Sequence, residues 1–111
     1  MHILFWFPVP PTTINITTQP VEARAGHQLR LTCVCSSSNP PAVITWVHSS
    51  QHMPGTSLGH DNAEFGGKSS KNVLEFIPTA ADHNTAYGCQ ASNLAIQASV
   101  HDAVTVNVRC K

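Results

Sequence analysis

Gly26-His27-Gln28-Leu29-Arg30-Leu31-Thr32-Cys33-Val34-Cys35 is the stretch that decides how this chain folds. Leu29, Leu31, Cys33 and Cys35 alternate with polar or smaller residues, the period of a strand with one buried face. The same period recurs at Ile44 and Trp46, at Leu74 and Phe76, at Tyr87, Cys89 and Ala91, and at Val104, Val106 and Val108. Turn-forming clusters at 36–41, 49–59, 66–70 and 78–85 separate these runs. Short alternating strands between turns imply an all-β sandwich or barrel rather than alternating strands and helices. Strands are expected at 13–18, 21–24, 28–35, 43–48, 70–77, 86–92 and 103–109. One or two more are expected between His52 and Phe65, where the pattern sets no edges.

The chain has 111 residues, room for one domain. Six basic side chains balance six acidic ones, so no cationic surface exists to draw nucleic acid or anionic lipid. Charged residues make up only 11%, less than half the usual ~25%. Ser, Thr, Asn, Gln and His fill the gap, a mixture suited to strands and turns. No apolar run approaches the ~20 residues that span a bilayer. Residues 1–11 read as a lead-in: a truncated signal sequence or, the preferred reading, the end of a preceding domain. The folded domain is expected over 12–110. No nucleophile elbow, phosphate-cradling loop or paired carboxylates are present, so the chain is not expected to be an enzyme or to hold a cofactor.

Four cysteines fit either a disulfide framework or a metal site. Thiolate zinc sites want Cys-x-x-Cys pairs, and Cys33-x-Cys35 is not one, so no metal is expected. The seven histidines are expected to be exposed polar residues on strand edges and loops.

Cys33, Trp46, Cys89 and the Tyr87 two residues before the second cysteine together resemble an immunoglobulin domain. Gly26-x-x-Leu29-x-Leu31-x-Cys33 is similar to the entry of its strand B, and Cys89-Gln90-Ala91-Ser92-Asn93 to the strand-F exit of I-set and C2-set types. The resemblance implies a Greek-key β-sandwich of about 7–8 strands, a Cys33–Cys89 disulfide between the sheets, and Trp46 packed against it. It also makes Tyr87 a corner residue whose hydroxyl bonds back to backbone in the preceding turn. The family usually places an acid four residues before that tyrosine; His83 stands there, with Asp82 one residue earlier, as an E–F turn longer by one residue would produce. Cys35 is left as a buried free thiol, and Cys110 as exposed or bonded to a cysteine outside this chain.

Ser37-Ser38-Asn39-Pro40-Pro41-Ala42-x-Ile44-x-Trp46 narrows the resemblance to nephrin-like and sidestep-like cell-adhesion receptors. It implies an extracellular or cell-surface module that binds another cell-surface protein, for instance a related immunoglobulin domain, homophilically or heterophilically, with no membrane contact of its own. The expected face is the C–C′–F–G sheet, with Thr45, Val47, Gln90 and Ser92 pointing outward. The other readings are a structural spacer in a multi-domain array and a secreted immune-type binder. Asn15-Ile16-Thr17 is the one Asn-x-Ser/Thr acceptor, making Asn15 the expected glycosylation site.

Overall fold

The computed structural model describes residues 8–109. Cys110 and the apolar start at residues 1–7 lie outside them. Ten strands follow in order: β1 (Ile14–Gln19), β2 (Ala23–Arg24), β3 (Leu29–Ser38), β4 (Val43–His48), β5 (Gln51–Met53), β6 (Thr56–Asn62), β7 (Lys68–Phe76), β8 (Thr85–Asn93), β9 (Ala98–Val106) and β10 (Val108–Arg109). They form two antiparallel sheets, β1-β3-β7-β6 and β5-β4-β8-β9, and β2 pairs with β10 in parallel at one end. This is the immunoglobulin-like sandwich that the resemblance implied.

Two stretches differ from the sequence reading. Strand β9 begins at Ala98, five residues before the expected start. Asp102 is the reason: it falls on the inward parity between Val100 and Val104, yet it is exposed, which interrupts the apolar alternation. Asn93 Oδ1 accepts the Ala95 N–H at 3.2 Å, and Gln97 adopts φ 52°, so the chain reverses within Leu94–Gln97. Strands β5 and β6 fill the segment where no edges were assigned. Every residue of β6 is exposed, so it carries no periodic signal at all.

The core is built around the Cys33–Cys89 disulfide, with Cα atoms 6.5 Å apart. Trp46 lies opposite Cys89 in the β4–β8 register and is completely buried. Its indole N–H donates to Asn72 Oδ1 at 2.9 Å, and Asn72 Nδ2 donates to the Pro54 carbonyl at 3.1 Å. A buried amide needs such partners, because an unpaired one costs its full desolvation. Gly55 closes the arrangement. It sits at φ 60°, and any Cβ there would collide with the Trp46 ring and with Asn72 Oδ1. Cys35 is a buried free thiol whose pKa burial raises to about 11, so it behaves as a small apolar residue. Buried Asn93 donates to Ser38 Oγ at 3.1 Å and to the Val9 carbonyl at 3.4 Å. Val9 also exchanges backbone hydrogen bonds with Asn39, so part of the stretch read as a lead-in is fastened to the domain.

The corner before β8 departs from expectation. The Tyr87 hydroxyl donates to the Asp82 carboxylate at 3.3 Å, not to backbone. Asp82 also accepts the Thr79 N–H at 2.8 Å, so one carboxylate caps the 3-10 turn Ala80–Asp82 and anchors the tyrosine. The extra residue of this turn is absorbed at Asn84, which takes the left-handed conformation at φ 62°. Among the described histidines His48 alone departs from the expected exposure, and exposed His60 and His83 make hydrogen bonds. His48 is half-buried and stacks flat on Tyr87, with centroids 3.9 Å apart. His60 Nδ1 lies 2.7 Å from Ser70 Oγ, and His83 Nδ1 accepts the Val108 N–H at 3.0 Å.

Burial first, then the Asp82 charge and the hydrogen bond to it, push the Tyr87 pKa up to about 12. The neutral phenol is the form the fold favours. Its contribution is therefore fully present below about pH 10 and is lost as pH rises from there towards about 12. Tyr87 is the only tyrosine, so an ultraviolet absorbance titration reads it alone. The native midpoint should lie near 12, fall in Asp82→Asn, and return to about 10 in denaturant; a native midpoint near 10 would contradict the corner geometry. A second pair of variants separates ring volume from the indole bond. Trp46→Ala should cost about 3–5 kcal/mol in denaturant unfolding. Trp46→Phe keeps the bulk but orphans Asn72, and should cost about 1–3 kcal/mol. A Trp46→Phe variant as stable as the wild type would mean the Asn72 bond contributes nothing.

Candidate functional site

The outer face of the β5-β4-β8-β9 sheet follows from the same alternation that buries Ile44, Trp46, Tyr87, Cys89 and Ala91. Turning those five inward turns Val43, Thr45, Val47, Gly88, Gln90 and Ser92 outward. Cross-strand register sets them in three rows: Val43 beside Ser92 and Ser99, Thr45 beside Gln90 and His101, and Val47 beside Gly88 and Ala103. Thr45, Val47, Gln90 and Ser92 are thus neighbours on one surface, each half-buried by the next.

Gly88 gives this surface its shape. It has no side chain where its neighbours Val47 and Ala103 do, leaving a shallow apolar depression of about 240 Å³ rimmed by Gln90 and His101. Nothing in the backbone demands glycine here. A Cβ would meet the Val47 and Asp102 carbonyl oxygens at 3.6 and 3.7 Å, ordinary contact distances. The hollow is therefore a property of the surface and not a by-product of a tight turn. Val43, 55% exposed, and Leu94 of the β8–β9 loop, 74% exposed, add further apolar area to this sheet and its loop. Asp102 is the one Asp, Glu, Lys or Arg lining the depression, and its carboxylate is engaged by the Ala103 N–H at 2.8 Å. An apolar centre depleted of charge with polar groups around it is how interface cores are composed.

The opposite sheet presents different chemistry. Its outward residues include Asn15, Thr17, Arg30, Lys71 and Glu75, with Arg30 paired to Glu75 at 2.7 Å. The acceptor Asn15 is on this face, pointing away from the Gly88 depression. Sequence reasoning found the outward residues of β4 and β8 but passed over Gly88. It also missed His101, because the start of β9 was placed too late. Among the described residues no group of His, Cys, Asp or Glu is arranged to hold a metal ion, and no helix is long and apolar enough to cross a membrane.

Comparison with known proteins agrees with the fold. Human nephrin is 28% identical over 99 residues, a match covering 89% of this chain and 8% of nephrin. Mouse Kin of IRRE-like protein 3 is 29% identical over 103 residues, covering 91% of this chain and 13% of that protein. The Drosophila melanogaster Irregular chiasm C-roughest protein is 30% identical over 94 residues, covering 78% and 12%. The chain thus spans about a tenth of the length of these relatives. Among solved structures, Rst D1–D2 superposes with a TM-score of 0.78 at 26% identity, covering 92% of this chain and 51% of that one. The ectodomain of mouse nectin-like molecule 4 gives 0.81 at 21% identity, covering 91% and 35%, a likeness of fold. The model of the immunoglobulin domain family matches residues 10–93, and the chain belongs to that family.

Proposed function

We propose that this domain is an extracellular protein-binding module of a cell-adhesion or cell-surface recognition receptor. It engages another cell-surface protein through the β5-β4-β8-β9 face, centred on Gly88. The observation that carries the reading is the contrast between the two faces. One has an apolar hollow with a nearly uncharged surround; the other has charged side chains and the single glycosylation acceptor. A glycan on Asn15 would shield the second face and leave the first open. The relatives support the same reading, since they are the kind of receptor that the Ser37–Trp46 motif resembles. A spacer needs no such hollow, and a secreted binder would use the same face.

Hot spots sit in desolvated pockets at the centre of an interface, where one substitution costs ~2 kcal/mol or more. Gly88→Arg places a long charged side chain in the depression, and the space around its Cβ allows the domain to fold. Presented as multimers to a panel of immunoglobulin-domain ectodomains that includes the domain itself, the wild type should bind at least one. Gly88→Arg should weaken that binding at least ~30-fold with little change in Tm. Lys71→Glu, on the opposite sheet, should bind as the wild type does. Undiminished binding by Gly88→Arg would remove this face from the function.

A further inference from the structure

Phe65 stands out on the sheet opposite the proposed binding face. Its ring is 81% exposed, and its backbone is left-handed at φ 61°, a conformation that bulky residues rarely adopt. Leaving an aromatic in water at a strained position stabilises nothing within the domain. The turn that carries it, Glu64–Gly66, is nonetheless firmly held. The Ser37 hydroxyl donates to the Glu64 carbonyl, and Ala63 N–H and Gly67 N–H close the turn with bonds of 2.9 and 3.1 Å. Gly67 is buried against β3 so closely that a Cβ would strike Ser37 Oγ and the Ser38 backbone. The ring is therefore presented at a fixed place.

That place is the wall of a cleft of about 460 Å³ that Asn15 also lines, with Val34 on its floor and the Ser36 and Ser37 hydroxyls on its rim. Asn15 pairs with Val34 on the neighbouring strand, three residues from Ser37, or roughly 10 Å along the strand. Asn15 and Thr17 both point outward on the edge strand β1, as an acceptor must. An apolar ring face, an aliphatic floor and a hydroxyl rim match a pyranose, which offers C–H groups on one face and hydroxyl and acetamido groups around its edge. The cleft volume is in the range of small-ligand sites.

We propose that Asn15 carries an N-linked glycan whose first N-acetylglucosamine units lie in this cleft, packed on Phe65. The proposal rests on the secretory-pathway part of the function given above, and is independent of the Gly88 face. In the transfer, Asn15 Nδ2 displaces the lipid pyrophosphate of a lipid-linked oligosaccharide from C1 of the first sugar. The C1–N bond forms, the C1–O bond breaks, the pyrophosphate leaves with the electron pair, and the amide gives up one proton. Seated on Phe65, the sugar explains why a strained, exposed aromatic is held beside an acceptor asparagine. The glycan becomes a fixed cover over the Asn15–Val34–Lys71 side of the sheet.

A double-mutant cycle on protein secreted from eukaryotic cells, with glycans trimmed to one N-acetylglucosamine, tests this. The variants are Asn15→Gln, Phe65→Asn and both together; asparagine tolerates the left-handed backbone, so the turn is kept. Before trimming, the wild type and Phe65→Asn should lose mass on N-glycosidase treatment, and Asn15→Gln should not. Asn15→Gln should lower Tm by about 4 °C with Phe65 present and by about none with Asn at position 65. The acetamido methyl proton signal should be shifted upfield by the ring in the wild type, and relax in Phe65→Asn. An unmodified Asn15 would overturn the modification. A glycan whose removal lowers Tm equally in both backgrounds, with an unshifted methyl, would overturn its seating on Phe65.

Discussion

The covalent link between Cys33 and Cys89 is the constraint on which the rest of the molecule depends. It joins an interior strand of one sheet to an interior strand of the other, between residues 56 apart in sequence. Closing a loop of that size is worth about 4 kcal/mol in the chain-entropy account, against a total stability of about 5–15 kcal/mol for a domain of this kind. The chain has few charges and a modest core, so that share is large. Such a link persists only in oxidising surroundings, which is the physical ground for the extracellular location proposed.

The link is supported by a buried polar relay. Trp46 packs beside Cys89 on the adjacent strand and hands its N–H to Asn72 of the other sheet, which in turn holds Pro54. Strands β4 and β8 are thereby fixed in register with each other and against β7. The outward face inherits that register, which places Val47, Gly88 and Ala103 side by side and opens the hollow between them. The proposed binding surface is a consequence of core packing, preset before any partner arrives. Preorganisation of this kind lowers the ordering cost of binding.

What could be read from the chain in advance followed one rule. Where one face is buried, alternation declares it: β3, β4 and β8 were legible from Leu29–Cys35, Ile44–Trp46 and Tyr87–Ala91. Where neither face is buried, as in β6, nothing in the pattern marks a strand, and its pairing with β7 alone makes it one. Asp102 shows the same limit in reverse, since one exposed residue on an inward parity hid half of β9. The corner tyrosine was legible but its partner was not: the one-residue longer turn moved a carboxylate to where a backbone carbonyl was expected. Gly88 escaped notice because glycine between Tyr87 and Cys89 has no side chain to interpret, and only the neighbouring strands reveal the hollow. The partners of Asn72 and Asn93 were equally out of reach, since each joins segments distant in sequence.

Peptide mapping under non-reducing conditions tests the central constraint most directly. The account predicts a single linked peptide pair carrying Cys33 and Cys89, with Cys35 unlinked and alkylated only after denaturation. A Cys35–Cys89 pair with Cys33 free would contradict it, because strand β3 would then be shifted by two residues and every contact built on its register would move with it.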